Sequence, residues 1–368
     1  MAAETTVSTS ERPSFFSKVF AARRFVFIGL IIILLVSVIT LIGANDTDPA
    51  KIIASFIATT LAVATPLTLS ALSGVFCERA GVVNIAIEGM MLGAAFFGFI
   101  ASIYSKQAGA SDGAALLIGV IAAILTGGLL ALLHAVLSIT FKVNQIISGT
   151  VINILAVGLT GYLNRILFFQ GNVPHAPGVL PTISIPILSD IPIFGRIFTQ
   201  QPIAIMAVVL VFVSHFVLFR TQWGLRMRAV GEHPRAADTV GINVYRVRYA
   251  NVLIGGLIAG LAGAYFTLES VPSFEPMMTN GRGFIALAAM IFGNWSPIGA
   301  WAAALLFGAA QAFQINLQFF SDAVPAGLDF LKKSQIVGML PYVLTMFAIT
   351  GIVGRTTPPA ADGVPYEK

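Results

Sequence analysis

The sequence predicts an all-α membrane protein whose chain crosses a lipid bilayer about ten times. Hydrophobic residues make up 57% of its 368 positions and charged residues only 10%, against roughly 45–50% and about 25% in soluble domains. A chain of this composition cannot bury its apolar surface within itself. We therefore expect lipid to serve as the solvent for much of its surface.

Ten apolar runs are the candidate membrane spans. Each is predicted to be a helix, because a chain inside the bilayer must satisfy its own backbone hydrogen bonds. Most of the runs approach the roughly 20 residues that a crossing needs, but the eighth is short and begins at Gly281-Arg282-Gly283. The candidate spans are 25–44, 52–76, 82–104, 114–138, 146–169, 203–220, 249–271, 283–293, 298–320 and 336–354.

The distribution of Lys and Arg predicts that both termini lie in the cytoplasm. Cytoplasmic loops carry an excess of these residues, and six of the 21 fall in residues 220–248 alone. This orientation divides the chain into a cytoplasmic tail (1–24), a transmembrane domain (25–354) and a second cytoplasmic tail (355–368). Within the domain, residues 220–248 form a cytoplasmic loop and residues 170–202 an extracytoplasmic one.

The motifs that would indicate an enzyme or a metal site are missing or out of context. No Lys follows a Gly, so the sequence has no phosphate-binding loop of the G-x-x-x-x-G-K-[ST] kind. Its single cysteine, Cys77, excludes an intrachain disulfide. A G-x-S-x-G match at 109–113 lies in a short loop, without the strand-turn-helix context that the motif requires. We predict no enzymatic activity, no cofactor or metal and no nucleic-acid partner.

The segment GLRMRAVGEHPRAADTVGINV (224–244) contains a predicted short helix. Pro234 suits the first turn of a helix and Gly241 suits its C-terminal cap. The segment could be a basic loop that only fixes the topology, or a docking helix that transmits force from a cytoplasmic partner. The start and stop signals favour docking. The candidate docking residues are Gly224, Arg226, Arg228, Gly231, Pro234, Arg235, Ala236, Ala237, Asp238 and Gly241.

Four blocks of this sequence resemble ABC importer permeases. The segment 224–244 resembles the coupling loop of permeases from the simple-sugar, nucleoside and branched-chain amino-acid branch. The block ALSGVFCERAGVVNIAIEGMMLGAAF (71–96) is similar to the form found in nucleoside (basic-membrane-protein-linked) permeases. Residues 144–165 and 281–300 fit the same pattern, so the resemblance covers the chain from about 52 to 354.

The resemblance implies a function and a set of partners. A separate ATPase subunit would grip the segment 224–244, and a second permease subunit, a sister rather than a copy, would complete the channel. An extracytoplasmic substrate-binding lipoprotein would deliver a nucleoside to the outer face of the bacterial cytoplasmic membrane. A simple sugar is the alternative substrate. A carrier driven by an ion gradient is the alternative from another class, although it has no need for a docking helix.

Two parts of the chain predict an inverted repeat. Span 52–76 is followed by the block 81–93, and span 249–271, which runs in the opposite direction, is followed at similar spacing by the block 281–293. Such repeats usually place the substrate path near the midplane, between broken or short helices. We therefore expect the path to lie beside these two blocks.

Polar residues in the spans are the candidates for that path. Glu88 is a functional candidate by default, because a carboxylate within a span is costly; it could instead pair with Arg79 or cap a neighbouring helix. The amides could bond a passing nucleoside or bond across helices. The candidates are Asn84, Glu88, Asn144, Gln145, Asn153, Gln311, Gln314 and Gln318.

Glycine spacing and one further carboxylate complete the predictions. The G-x-x-x-G pairs Gly89/Gly93 and Gly256/Gly260 predict close approach of neighbouring helices. Glu269, at the outer end of the seventh span, is predicted to help receive the binding protein.

Overall fold

The computed structural model describes residues 49–168, 176–187, 189–191, 195, 198–319, 339 and 356–368. Two of the predicted spans, 25–44 and 336–354, lie outside the described residues, and the side chain of Gln318 does as well. Within the described ranges the chain forms ten α-helices. They are α1 (Pro49–Arg79), α2 (Ile87–Gln107), α3 (Asp112–Ala135), α4 (Gln145–Phe168), α5 (Pro202–Arg220), α6 (Gln222–Glu232), α7 (Pro234–Thr239), α8 (Val244–Ala264), α9 (Arg282–Phe292) and α10 (Pro297–Phe319).

Two of the helices continue into wider π-helical turns. The first follows α3 and comprises Val136–Thr140, and the second follows α8 and comprises Tyr265–Ser270. In the loop before α5, β1 (Ile183–Ser184) pairs antiparallel with β2 (Thr199–Gln200). This two-residue ladder is the sole departure from the predicted all-α class in the part of the chain that the structure describes.

Seven of the described helices are long and apolar enough to cross a bilayer, and α9 is a shorter apolar helix. Each of the eight predicted spans in the described ranges coincides with one helix. When the π-helical turn that continues α8 to Ser270 is counted with that helix, the largest shifts are five residues, at the starts of α2 (87 against 82) and α8 (244 against 249). The total of ten spans and the inverted repeat stay predictions.

Helix α6 is a helix that the sequence patterns did not predict. It begins after Thr221, whose hydroxyl accepts a hydrogen bond from the backbone N–H of Gly224 at 3.3 Å, the usual arrangement of an N-cap. Its polar and charged residues interrupt the apolar ones, so it produces no apolar run. The sequence therefore contained one signal for it, the N-cap threonine.

The closest helix contact is between α3 and α8. A methyl group added to Gly127 would overlap the backbone of Gly256 and Gly260. This confirms the predicted close approach at the second G-x-x-x-G pair. Lipid tails are as apolar as a leucine side chain, so close van der Waals packing of this kind is a main source of helix association in a bilayer.

The outer surface of α3, α4 and α5 is apolar. Leu129, Ile154 and Phe216 are each more than 60% exposed, along with many other aliphatic side chains on the same helices. A continuous exposed apolar surface of this size indicates contact with lipid or with another membrane subunit. It agrees with a multi-pass membrane protein.

Substituting Gly127 by Ala should destabilise the protein by about 1–3 kcal/mol, because the added methyl group must force the backbones of α3 and α8 apart. The expected result is a lower unfolding temperature of the purified protein in detergent. Gly113→Ala is the matched control on the same helix, since a methyl group there would meet open space. Equal unfolding temperatures for the two variants would show that the contact does not matter.

Candidate functional site

The chain between α1 and α2 is a largely buried, non-helical segment, which we call the break (residues 80–86). Its members Ala80, Val82, Asn84 and Ala86 are inaccessible to solvent. Gly81 has φ of +82°, a conformation that glycine adopts without steric cost. Because backbone polar groups buried in a membrane domain must find partners, the break depends on hydrogen bonds from other elements.

Side chains from α3 and α4 supply these hydrogen bonds at Val83. The backbone N–H of Val83 donates to Oε1 of Gln145 at 2.7 Å, and Nε2 of His134 lies 2.9 Å from the carbonyl oxygen of Val83. A carbonyl oxygen only accepts, so His134 carries its proton on Nε2. Nδ1 then accepts from the hydroxyl of Ser148 at 3.1 Å. Both backbone groups of Val83 are satisfied in this way.

Asn84 and Asn153 complete the network at the start of α2. Oδ1 of Asn84 accepts from the backbone N–H of Ala86 at 3.0 Å. The amide of Asn153 bonds in both directions, accepting from the N–H of Gly89 at 2.7 Å and donating to the carbonyl of Ile85 at 3.0 Å. A methyl group on Gly89 would collide with the backbone of Asn153, which confirms the predicted close approach at that glycine.

The carboxylate of Glu88 joins α2 to the start of α9. Its Oε1 accepts from the hydroxyl of Thr279 at 2.6 Å and from the N–H of Gly281 at 2.8 Å. Its Oε2 accepts from the N–H of Gly283 at 2.6 Å. The first N–H groups of a helix have no partner within the helix, and a negative charge there also interacts favourably with the helix dipole, by about 0.3–2 kcal/mol. Glu88 therefore caps a neighbouring helix.

The other end of α9 is held by the last residues of α1. The guanidinium of Arg79 donates to the carbonyl oxygens of Trp295 at 2.8 Å and Asn294 at 3.0 Å. The indole N–H of Trp295 donates to Oε2 of Glu78 at 2.6 Å. A cation at the carboxyl end of a helix again matches the helix dipole. Arg79 thus bonds the turn after α9, and the alternative pairing of Arg79 with Glu88 does not occur.

The structure brings Asn84, Glu88, Gln145 and Asn153 together around the break. Asn144 is exposed and caps α4 through the N–H groups of its first turn. The other candidates, Gln311, Gln314 and Gln318, lie elsewhere, on α10. Gly308, one turn before the first of them, packs on Thr60 and Ala64, which lie roughly 25–30 Å along α1 from the break. The side chains of Gln311 and Gln314 are half-buried there.

Glu269 is also engaged inside the chain. It is 1% exposed, and its carboxylate accepts from the N–H groups of Ile203 at 2.6 Å and Ala204 at 3.1 Å. It therefore caps the start of α5 in the same way that Glu88 caps α9. Because Glu269 is buried, the predicted role in receiving a binding protein would be indirect: Glu269 would hold the start of α5 in position.

The segment between α5 and α8 contains the predicted short helix. Pro234 is the first residue of α7, and Gly241 follows the helix with φ of +84°, as the start and stop signals predicted. Ala237 faces the protein interior, whereas Arg235 and Ala236 are exposed and Val240 is 75% exposed. Helix α7 thus presents a small surface that nothing in the described chain covers.

Helix α6 fixes this segment to the bundle. A methyl group on Gly224 would collide with the carbonyl oxygens of α5, and one on Gly231 would collide with the carbonyl oxygen of Arg79. The guanidinium of Arg228 lies 5.1 Å from the centre of the Phe219 ring. Gly224, Gly231 and Arg228 therefore position α6, and Arg226 remains exposed.

The C-terminal segment 356–368 packs beside α6 and α7. The N–H of Ala361 donates to the carbonyl of Gly231 at 2.9 Å, and the N–H of Ala360 donates to a carboxylate oxygen of Glu232 at 3.1 Å. A groove of about 830 Å³ separates α7 from this segment. The sequence predicted only a cytoplasmic tail here, outside the blocks that resemble ABC permeases.

The described residues contain no cluster of His, Cys, Asp and Glu side chains suited to a metal ion. Ser111 of the G-x-S-x-G match is the N-cap of α3, a structural position. Nothing at these residues has the geometry of a catalytic site.

Comparison with known proteins identifies the relatives of this chain. The family described as "branched-chain amino acid transport system / permease component" matches residues 56–349. The guanosine ABC transporter permease protein NupQ of Bacillus subtilis is 42% identical over 324 residues, which are 87% of this chain and 99% of NupQ. The nucleoside ABC transporter permease protein NupC of Lactococcus lactis is 38% identical over 85% of this chain and 96% of its own. A second guanosine permease protein of B. subtilis, NupP, is 26% identical over 82% of this chain and 84% of its own.

Replacing Glu88 by Gln should lower the stability of the protein by about 1–3 kcal/mol. The NH₂ group of the Gln side chain would replace one carboxylate oxygen, so the backbone N–H of either Gly281 or Gly283 would lose its acceptor. The measurement is thermal unfolding of the purified protein in detergent. Glu275→Gln is the matched control, since Glu275 lies in the loop before α9, to which Glu88 bonds, and is exposed. If the Glu88 variant unfolds at the same temperature as this control, the cap does not stabilise the fold.

Proposed function

This chain belongs to the family of branched-chain amino acid transport system permease components, and from this we propose that it is the membrane-spanning permease subunit of an ABC importer for nucleosides. The observation that carries the proposal is the 42% identity to the guanosine permease protein NupQ over nearly the whole of both chains. NupC, whose name also refers to nucleosides, supports the same substrate class. The location is the bacterial cytoplasmic membrane.

The energy for transport comes from a separate ATPase subunit that docks on α7. The sequence has no phosphate-binding loop of its own, and α7 exposes Arg235, Ala236 and Val240. Exposed residues on a short, capped helix that is anchored through α6 suit the transmission of force. An extracytoplasmic binding protein would deliver the nucleoside at the opposite end of the bundle.

A second, sister permease completes the channel. Two different permease proteins of B. subtilis, NupQ and NupP, carry the guanosine name, which supports a pair of unlike subunits. The least covered long helix is α4, where Ile154 is 68% exposed and Gly158 has open space around it. We assign this face of α4 to the second permease and to the substrate path between the two subunits.

The path passes beside the break and along α4. Glu88, Gln145, Asn153 and Asn84 border it by holding the break in place. Asn144, exposed at the start of α4, is the polar group that we assign to transient contact with the nucleoside. Gln311 and Gln314 lie away from this path, on α10, which packs mainly on α1 and α9. Ten spans with both termini in the cytoplasm complete the proposed topology, and the packing of residues 356–368 against α6 and α7 supports a common side for the C-terminal segment and the docking helix.

Uptake should depend on ATP and should not depend on an ion gradient. The experiment uses the complete complex in proteoliposomes, with labelled guanosine, ATP at the ATPase face and a protonophore. We expect uptake to continue when the proton gradient is collapsed, and unlabelled nucleosides to compete with the label while glucose does not. Loss of uptake with ATP still present would indicate an ion-coupled carrier instead.

Replacing Arg235 and Asp238 together by Ala should reduce uptake by about tenfold or more, because truncating central interface residues commonly costs 2 kcal/mol or more of binding. The matched control replaces Lys106 and Asp112, an exposed pair 2.7 Å apart near the far end of α2. Both proteins should insert in the membrane equally, as measured by quantitative blotting of membrane fractions. Full uptake by the α7 variant would contradict the docking assignment.

A further inference from the structure

The C-terminal segment 356–368 lies beyond the part of the chain that matches the family, yet it is firmly packed. Pro359, Ala361 and Tyr366 are buried, so the segment is anchored at three places along its short length. It contains no regular helix or strand in the described residues. Its conformation is therefore determined by the elements that it contacts.

One side of the segment contacts the helices of the proposed docking site. Its backbone donates to Gly231 and to Glu232 at the end of α6. The ammonium group of Lys368 lies 3.6 Å from a carboxylate oxygen of Asp238 on α7. Three polar contacts thus connect the segment to α6 and α7.

The other side of the segment contacts the break. A methyl group on Gly81 would lie 3.0 Å from the carbonyl oxygen of Ala361, and one on Gly363 would lie 3.4 Å from the side chain of Val83. The buried guanidinium of Arg248 donates to the carbonyl of Val364 at 2.8 Å. The segment therefore lies directly beside the break at Gly81 and Val83.

A carboxyl group lies at this second contact. Asp362 lies beside Glu78 at the end of α1 and beside Arg248 at the start of α8, and burial raises the pKa of Asp362 to about 7. The group lies at the junction of α1, the break and α8. A partly satisfied group of this kind is costly unless its neighbours keep their positions.

Helix α7 packs on α6 and on the start of α8. A displacement of α7 can therefore reach the break through the contact of Gly231 with Arg79, through Arg248 of α8, which lies beside Gly81, or through the C-terminal segment.

We propose that residues 356–368 form a strap that transmits the movement of α7 to the break, and so to the two helices, α2 and α9, that Glu88 holds together. The proposal rests on the proposed function, in which α7 receives the ATPase. The strap also has a third attachment: Lys142 and Glu367 form an ion pair at 2.9 Å, and the ring of Tyr366 packs edge-on against Tyr245 with 5.5 Å between centroids. This attachment holds the strap against the start of α4 and α8.

Truncation before Thr357 tests the proposal in the complete importer complex, purified and reconstituted with labelled guanosine. Three quantities are measured: association of the ATPase, ATP hydrolysis and guanosine taken up per ATP hydrolysed. We expect association and hydrolysis to be retained, and uptake per ATP to fall by about five- to thirtyfold, as expected when coupling between two sites is weakened. Unchanged uptake per ATP would overturn the proposal.

Point variants decide the matter if the truncated chain does not fold. Tyr366→Ala should lower uptake per ATP by about two- to tenfold, whereas Tyr104→Ala, an exposed tyrosine near the far end of α2, should leave it unchanged. Lys142→Glu and Glu367→Lys should each weaken coupling, and the double reversal should restore it. Loss of ATPase association in the Tyr366 variant would overturn the proposal, because the segment would then be a docking surface and not a transmitter. Absence of ATP-driven uptake by the unmodified complex would instead refute the proposed function.

Discussion

The carboxylate of Glu88 holds together two of the places where the described part of this membrane domain gives up helical backbone. The break precedes α2, and the loop 271–281 precedes α9, so each leaves backbone N–H groups without helical partners. A buried polar group without a partner costs several kcal/mol in an apolar medium. Glu88 lies in the first turn of α2, directly after the break. Its carboxylate accepts three hydrogen bonds from the loop before α9 and the start of that helix. The two irregular regions are stable because they are adjacent.

The same constraint explains the other polar side chains near the break. Gln145, His134 and Asn153 all bond backbone groups of residues 83–89. Side chains that are committed to backbone groups contribute little affinity for a passing substrate. A permease built in this way would retain its cargo weakly, which suits a protein whose substrate is delivered by a separate binding protein in the proposed function.

The helices were predictable and their cross-connections were not. An apolar run of about 20 residues can be recognised locally, and the span ends agree within five residues once the π-helical continuations are counted. The Pro234 and Gly241 signals are local as well, and they predicted α7 correctly. By contrast, Glu88 and Gly281 are 193 residues apart, and periodicity does not reveal such a pairing. The sequence offered helix capping only as one alternative for Glu88, and it offered nothing for the C-terminal segment, whose conformation depends wholly on its neighbours.

The hydrogen bonds from Arg79 and Glu88 couple the position of α9 to that of the break. Arg79 and Glu88 stand at the two ends of the break, and each holds one end of α9. A short helix fixed at both ends to one segment must move with that segment as a unit. Gly231 touches the carbonyl of Arg79, and Ala361 touches the backbone at Gly81. In the proposed importer, closure of the ATPases would therefore displace the break through α6 and the strap together, and α9 would follow because its two charged caps leave it no independent position.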